Sequence, residues 1–319
     1  MELPSETRLR WILRSTARLL EGGAEPVSGI ILPTSEHFPD RFDGKSASVE
    51  RLLLRIRAQA GLEQVPMRAA VAGGEGEGSG CGGGSCCSTG APAPRFERVH
   101  RLGADEGYLV TVAAQEVGSP TVLTTALVRA VSHVFLTEAK LYAEFERAEV
   151  EGVVDLCGAL LGFGVLLGNG SYIYSKGCSG SHVASATKLP VEEIGLALAI
   201  FCRLHGIAGR SVAGHLDPTP RTAFDEAEQW VRSNAGVVGL LRSDRAAIEA
   251  ETYALSEARG WLSRLFGLGR ARGPSVPTDD ELERVARSLE SKKPGASVDP
   301  AKARRLQELR ELVDETLDR

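Results

Sequence analysis

The chain has 319 residues, 43% of them hydrophobic and 25% charged, the profile of a soluble globular protein with a sizeable core. A formal net charge of −5 leaves no basic footprint for a nucleic-acid partner, and 5% aromatics offer few platforms for base stacking. Length admits one large domain or two, with tails.

Residues 1–21 carry charges throughout, with no apolar run before a small-residue cleavage site, so no secretory signal is expected and the chain reads as cytoplasmic. The six cysteines (Cys81, Cys86, Cys87, Cys157, Cys178 and Cys202) are then reduced thiols rather than a disulfide framework. Leu9, Ile12, Leu13, Ala17 and Leu20 recur at helical spacing with Arg8, Arg10, Arg14 and Arg18 between them. This predicts an amphipathic helix within 1–26 that docks on the body rather than on a membrane surface.

Next comes a short β-type run at 27–32, then a Pro-punctuated loop over 33–40. Ser46 or Ser48 is placed to cap a helix over 49–59, whose Leu52, Leu53, Ile56 and Ala60 form one apolar face. A strand is expected over 65–72. Gly, Ser and Glu dominate 73–94, which reads as a mobile insertion between two strands, with Cys81, Cys86 and Cys87 embedded in it. The β pattern resumes at 96–100 and 108–114. Near-continuous apolarity in the second of these predicts a strand covered on at least one side.

Four helices follow. Ser119-Pro120 opens one over 121–141, and a mostly apolar one runs from 149 to about 168. The third spans 190–205, with acids in its first turn and Gly206 just past its end. Thr219-Pro220 opens the fourth, which points Phe224, Ala227, Trp230 and Val231 inward. Residues 261–266 complete the core. Beyond 273 the composition turns to Pro and charge, a tail with helical stretches at 281–289 and 301–317 suited to a protein partner. The expected fold is α+β: a small sheet packed on a helical body, with a main domain over 27–272 and a charged tail over 273–319.

The chemistry concentrates on the first two of these four helices. Arg129 and His133 lie four apart, on one helical face, and Glu151 and Asp155 are related in the same way on the next helix. A short connection makes the two helices neighbours, and Val128, Val131, Val154, Leu156 and Leu160 give the charges apolar surroundings. Buried charges must pair or neutralise, and arginine cannot neutralise. Glu151 or Asp155 is therefore the expected partner of Arg129: a salt bridge where a metal could have been.

Residues 27–206 resemble an uncharacterised bacterial family with zincin-like features. In that family a strand precedes an H-E-x-x-H helix, and an E-x-x-x-D helix with an apolar, Gly-containing continuation follows. Arg129-Ala130-Val131-Ser132-His133 occupies the first pattern; Glu151-Gly152-Val153-Val154-Asp155 matches the second. The resemblance implies that His133 stands at the second imidazole ligand, Glu151 at the third ligand, and Asp155 where a carboxylate orients an imidazole. Arg129 replaces the first ligand, and Ala130 replaces the carboxylate that activates water. Arginine cannot ligate zinc and alanine cannot take a proton from water, so peptidase activity is not expected. The implied protein is a pseudo-metalloprotease with an interaction or scaffolding role and no required cofactor.

Two other readings stay open. A rearranged metal-dependent hydrolase could use His133, Glu151 and Asp155 with zinc. A thiol-metal or redox protein could use Cys81, Cys86 and Cys87, although C-x4-C-C is not the paired C-x-x-C spacing of a zinc knuckle; Cys178 and His182, four apart, could add to such a site. The apolar run at 156–168 is shorter than the roughly 20 residues that a bilayer requires, so a buried core helix is expected there and no membrane span. The chain has no G-x-x-x-x-G-K-[ST] loop, no G-x-G-x-x-G placed between a strand and a helix, and no G-x-S-x-G elbow.

Overall fold

Ser5 accepts a hydrogen bond from the Arg8 amide at the start of α1 (Glu6–Glu21), and one face of this helix, including Leu9, Ile12, Leu13, Ala17 and Leu20, is buried. In this computed structural model, residues 3–72, 98–103, 106–177 and 180–256 are described. All of them belong to one compact unit, Met1–Leu265. The Gly/Cys-rich insertion with Cys81, Cys86 and Cys87, as well as Cys178, the core segment at 261–266 and the charged tail, lie outside the described residues.

The polar face of α1 is matched by acids of the body. Arg8 pairs with Glu193 at 2.7 Å and lies over the Trp11 ring, Arg14 reaches Glu251 at 3.0 Å, and Arg18 reaches Glu249 at 2.8 Å. The helix thus docks on the protein itself. The second helix, α2 (Ser46–Gln59), starts three residues earlier than its apolar face suggested, and neither serine caps it. Lys45 is the N-cap residue, and the Ser48 hydroxyl instead donates to the Lys45 carbonyl at 2.7 Å.

Three strands form a sheet in the order β1-β3-β2: β1 (Met67–Ala72), β2 (Val99–Gly103) and β3 (Gly107–Ala113). The central strand β3 runs parallel to β1 and antiparallel to β2. Its Tyr108, Val110 and Val112 are buried, as continuous apolarity in a covered strand requires, and α4 (Pro120–Glu138) packs against it. Chain 114–117, expected to begin as strand, turns instead into the short helix α3 (Ala114–Val117).

The apolar stretch after 149 is not one regular helix. It comprises α5 (Val150–Gly158), a π-helical turn (Ala159–Phe163) and α6 (Gly164–Ser171). Residues 27–32, expected as a strand, pair with no strand among the described residues; they cross this turn, where the Ile31 amide donates to the Gly162 carbonyl at 2.9 Å. Gly162 adopts φ 101°, and a Cβ there would run into the Gly29 carbonyl oxygen. Both facts require glycine. Gly162→Ala is accordingly expected to lower stability by about 2 kcal/mol, measured by urea denaturation; an unchanged midpoint would show that the crossing can shift to admit a side chain.

A hairpin of β4 (Ile173–Gly177) and β5 (Gly180–Ala184), unforeseen in the sequence, precedes α7 (Val191–Leu204). The short α8 (Gly209–Ala213) leads to α9 (Pro218–Ser233), which packs along α7 and buries Phe224, Ala227, Trp230 and Val231 as expected. Two more helices, α10 (Ala235–Ser243) and α11 (Arg245–Glu249), bring the chain back to α1. By length and composition, α4 and the 150–171 segment could each cross a membrane. The most apolar windows are 56% and 89% buried within the fold, the pattern that core helices also show.

Candidate functional site

The polar centre is built on α4 and α5, which pack together. Gly158 permits the close approach: a Cβ there would lie 2.8 Å from the Ser132 hydroxyl and 3.2 Å from Val128 on α4. Arg129 projects from the middle of α4 into this seam, with its side chain only 5% exposed. Its Nη1 donates to Asp155 Oδ1 and its Nη2 to Glu151 Oε2. One guanidinium therefore holds both carboxylates of α5, the pairing that spacing and burial led us to expect, with two partners instead of one.

Asp155 is fully buried, and its other oxygen is also engaged. Oδ2 accepts from the backbone amides of Lys188 and Leu189 at 2.6 and 2.8 Å. A single carboxylate thus joins α4, α5 and the segment that enters α7. Burial pushes its carboxyl pKa up, while Arg129 and the two amides pull the other way by favouring the charged form. Glu151, one turn earlier, is 26% exposed and closes the outer side of the triad.

His133 lies one turn beyond Arg129, and its Nδ1 is 2.5 Å from the Tyr142 hydroxyl. Tyr142 comes from the 3-10 turn Leu141–Glu144 between α4 and α5. Burial, followed by the neighbouring Arg129 charge, lowers the His133 pKa to about 4, so the imidazole is neutral at pH 7. Arg129, Ala130, His133 and Glu151 line one small cleft against β2 and β3, with a volume of about 20 Å³. That is room for about one water. Arg129 Nε is buried beside it without a hydrogen-bond partner among the described residues. Arg98, also on the cleft, is held by Glu116: its Nη1 lies 2.6 Å from both carboxylate oxygens.

These observations decide whether the expected ligand set suits a metal. Glu151 and Asp155 both hold Arg129, whose charge opposes a cation at the same point. Asp155 Oδ2 is taken by two amides, and Ala130 supplies no donor. Among the described residues no group of three or more His, Cys, Asp or Glu is placed to hold a metal ion. With Arg129 in place, His133, Glu151 and Asp155 do not fit a zinc centre. Cys157 and Cys202 are buried thiols whose pKa values burial raises, that of Cys202 to about 12; neither offers a thiolate at neutral pH.

Sequence reasoning missed Tyr142, the Arg98–Glu116 pair and the amides of Lys188 and Leu189. No local signal marks them: a backbone amide has no residue signature, and Tyr142 sits in an irregular connection without periodicity. No family model, curated protein or solved structure matches this chain.

Proposed function

We propose that the chain is a non-catalytic, zincin-like protein, a pseudo-metalloprotease whose retained fold serves interaction or scaffolding. The observation that carries this reading is the single Arg129 guanidinium bridging Glu151 and Asp155. In the pattern the sequence resembles, Asp155 orients the first imidazole and Glu151 completes the ligand set. Here both turn to the residue that stands in that imidazole's place. The ion triad cross-links α4 and α5 as a metal would, yet it activates no water: Ala130 has no carboxylate, and the cleft has room for about one water and none for a peptide. Function then rests on surfaces, and the charged segment 273–319 is the proposed contact for a protein partner.

Metal content per chain, measured on protein purified without chelator or a metal-affinity tag, tests this reading. Wild type is expected to carry no stoichiometric zinc. The double variant Arg129→His/Ala130→Glu rebuilds H-E-x-x-H ahead of Glu151, removes the opposing cation, and is expected to take up about one zinc per chain. Stoichiometric zinc in wild type that disappears in His133→Ala and Glu151→Ala would establish a rearranged metal site instead. Loss only on replacing Cys81, Cys86 and Cys87 by Ser would locate the metal on the thiols.

A further inference from the structure

A second cleft lies at the N-terminal end of α4, under the loop 33–44. Phe38, Leu52, Pro120, Leu123 and Leu166 wall it, and its volume is about 200 Å³. It shares no lining residue with the cleft beside Arg129. An apolar cavity of about 150 Å³ accepts benzene, so this one has room for an aromatic ring or a medium-length alkyl chain. The hydroxyls on its wall are already committed: Ser48 donates to the Lys45 carbonyl and Thr124 to the Pro120 carbonyl, each at 2.7 Å. The interior therefore favours an apolar body.

The mouth has a different chemistry. Phe42, 37% exposed, stands there with Asp40, Arg41 and Arg55. Arg55 is paired with Asp40 at 2.9 Å, whereas Arg41 is exposed and makes no ion pair among the described residues. Among the lining residues two cations, Arg41 and Arg55, stand against one anion, Asp40, and Asp43 is turned to Ser48 and the Lys45 amide, which leaves the Arg41 guanidinium available for a bidentate acceptor. The loop that carries Asp40, Arg41 and Phe42 is pinned to α2 by the Arg55–Asp40 pair and by Gln59, whose amide donates to the His37 carbonyl at 2.9 Å. The cleft is thus formed in advance, as small-molecule sites usually are.

We propose that this cleft binds a small apolar carboxylate, its alkyl or aromatic body among Phe38, Leu52, Leu123 and Leu166 and its carboxylate at Arg41. A neutral ligand of the same shape forgoes the charge-assisted hydrogen bonds, and a cationic one meets a rim of its own sign.

Isothermal titration calorimetry of the full chain with octanoate, 1-octanol and octylamine tests the assignment. Octanoate is expected to bind saturably and about tenfold or more tighter than octanol, with no binding of octylamine. Arg41→Ala is expected to weaken octanoate by about tenfold and to leave octanol unchanged. Thr124→Phe, at a half-buried lining position, fills the cleft and abolishes binding; Leu52→Phe carries the same expectation should the first variant melt early. Absence of saturable octanoate binding, equal affinity for octanoate and octanol, or full octanoate affinity in a stably folded cleft-filling variant would each overturn the proposal.

Discussion

Arg129→Ala is expected to lower the stability of the protein by about 3–5 kcal/mol. The variant removes one partner of a buried ion network and leaves Asp155, which is fully buried, with a charge balanced only by two backbone amides. Such a loss far exceeds that of an exposed ion pair, which contributes about 0–1 kcal/mol. For a domain of this size it corresponds to a fall in melting temperature of roughly 10 °C. Burial of the triad does not mean that it stabilises more than an uncharged core would. The triple variant Arg129→Met/Glu151→Gln/Asp155→Asn is therefore expected to regain much of the loss. The side-chain amide introduced by Asp155→Asn keeps an acceptor for the backbone amides of Lys188 and Leu189, and no unpaired charge remains. Calorimetry of the single and triple variants checks both statements. Wild-type melting in Arg129→Ala would show that the triad does not hold α4 to α5.

The second large effect is on pH dependence. In the unfolded chain His133 titrates near 6.5; in the fold, burial and the Arg129 charge bring it down to about 4. Between these values the unfolded state binds more protons, so stability rises with pH. The contribution is fully present above about pH 6.5 and is lost as pH falls through about 4, amounting to at most about 3 kcal/mol. Asp155 acts in the opposite sense, because a carboxyl raised by burial is penalised once it ionises. His205, also lowered by burial, adds to the His133 slope. The clean measurement is the difference in urea midpoint between wild type and His133→Gln, which retains polar capacity next to Tyr142. That difference is expected to shift against wild type from pH 7 down to pH 4. A constant difference across this range would show that His133 is not held neutral by the fold.

Much of the framework was legible in the residues. The heptad-like spacing of Leu9 to Leu20 marked a docked helix, and the apolar run of β3 marked a covered strand. Pro190 and Gly206 bracketed α7. The partnership of Arg129 with α5 was legible for a different reason: four-residue spacing puts charges on one face, and an arginine among valines and leucines must find an anion. These are short-range or obligatory statements, and a sequence determines them by itself.

Tertiary structure decided the rest. Periodicity could not show that 27–32 would forgo strand pairing and donate to Gly162, because that bond depends on where a distant helix opens into a π turn. It could not show that Asp155 would collect two amides from the segment before α7, since backbone groups have the same chemistry everywhere along the chain. Nor could it assemble Arg41, Phe42, Leu52 and Leu123 into one cleft, for they come from a loop and two helices far apart in sequence. Local spacing says which side of an element is buried and which charges require partners. Only packing says which partners arrive, and at which atom.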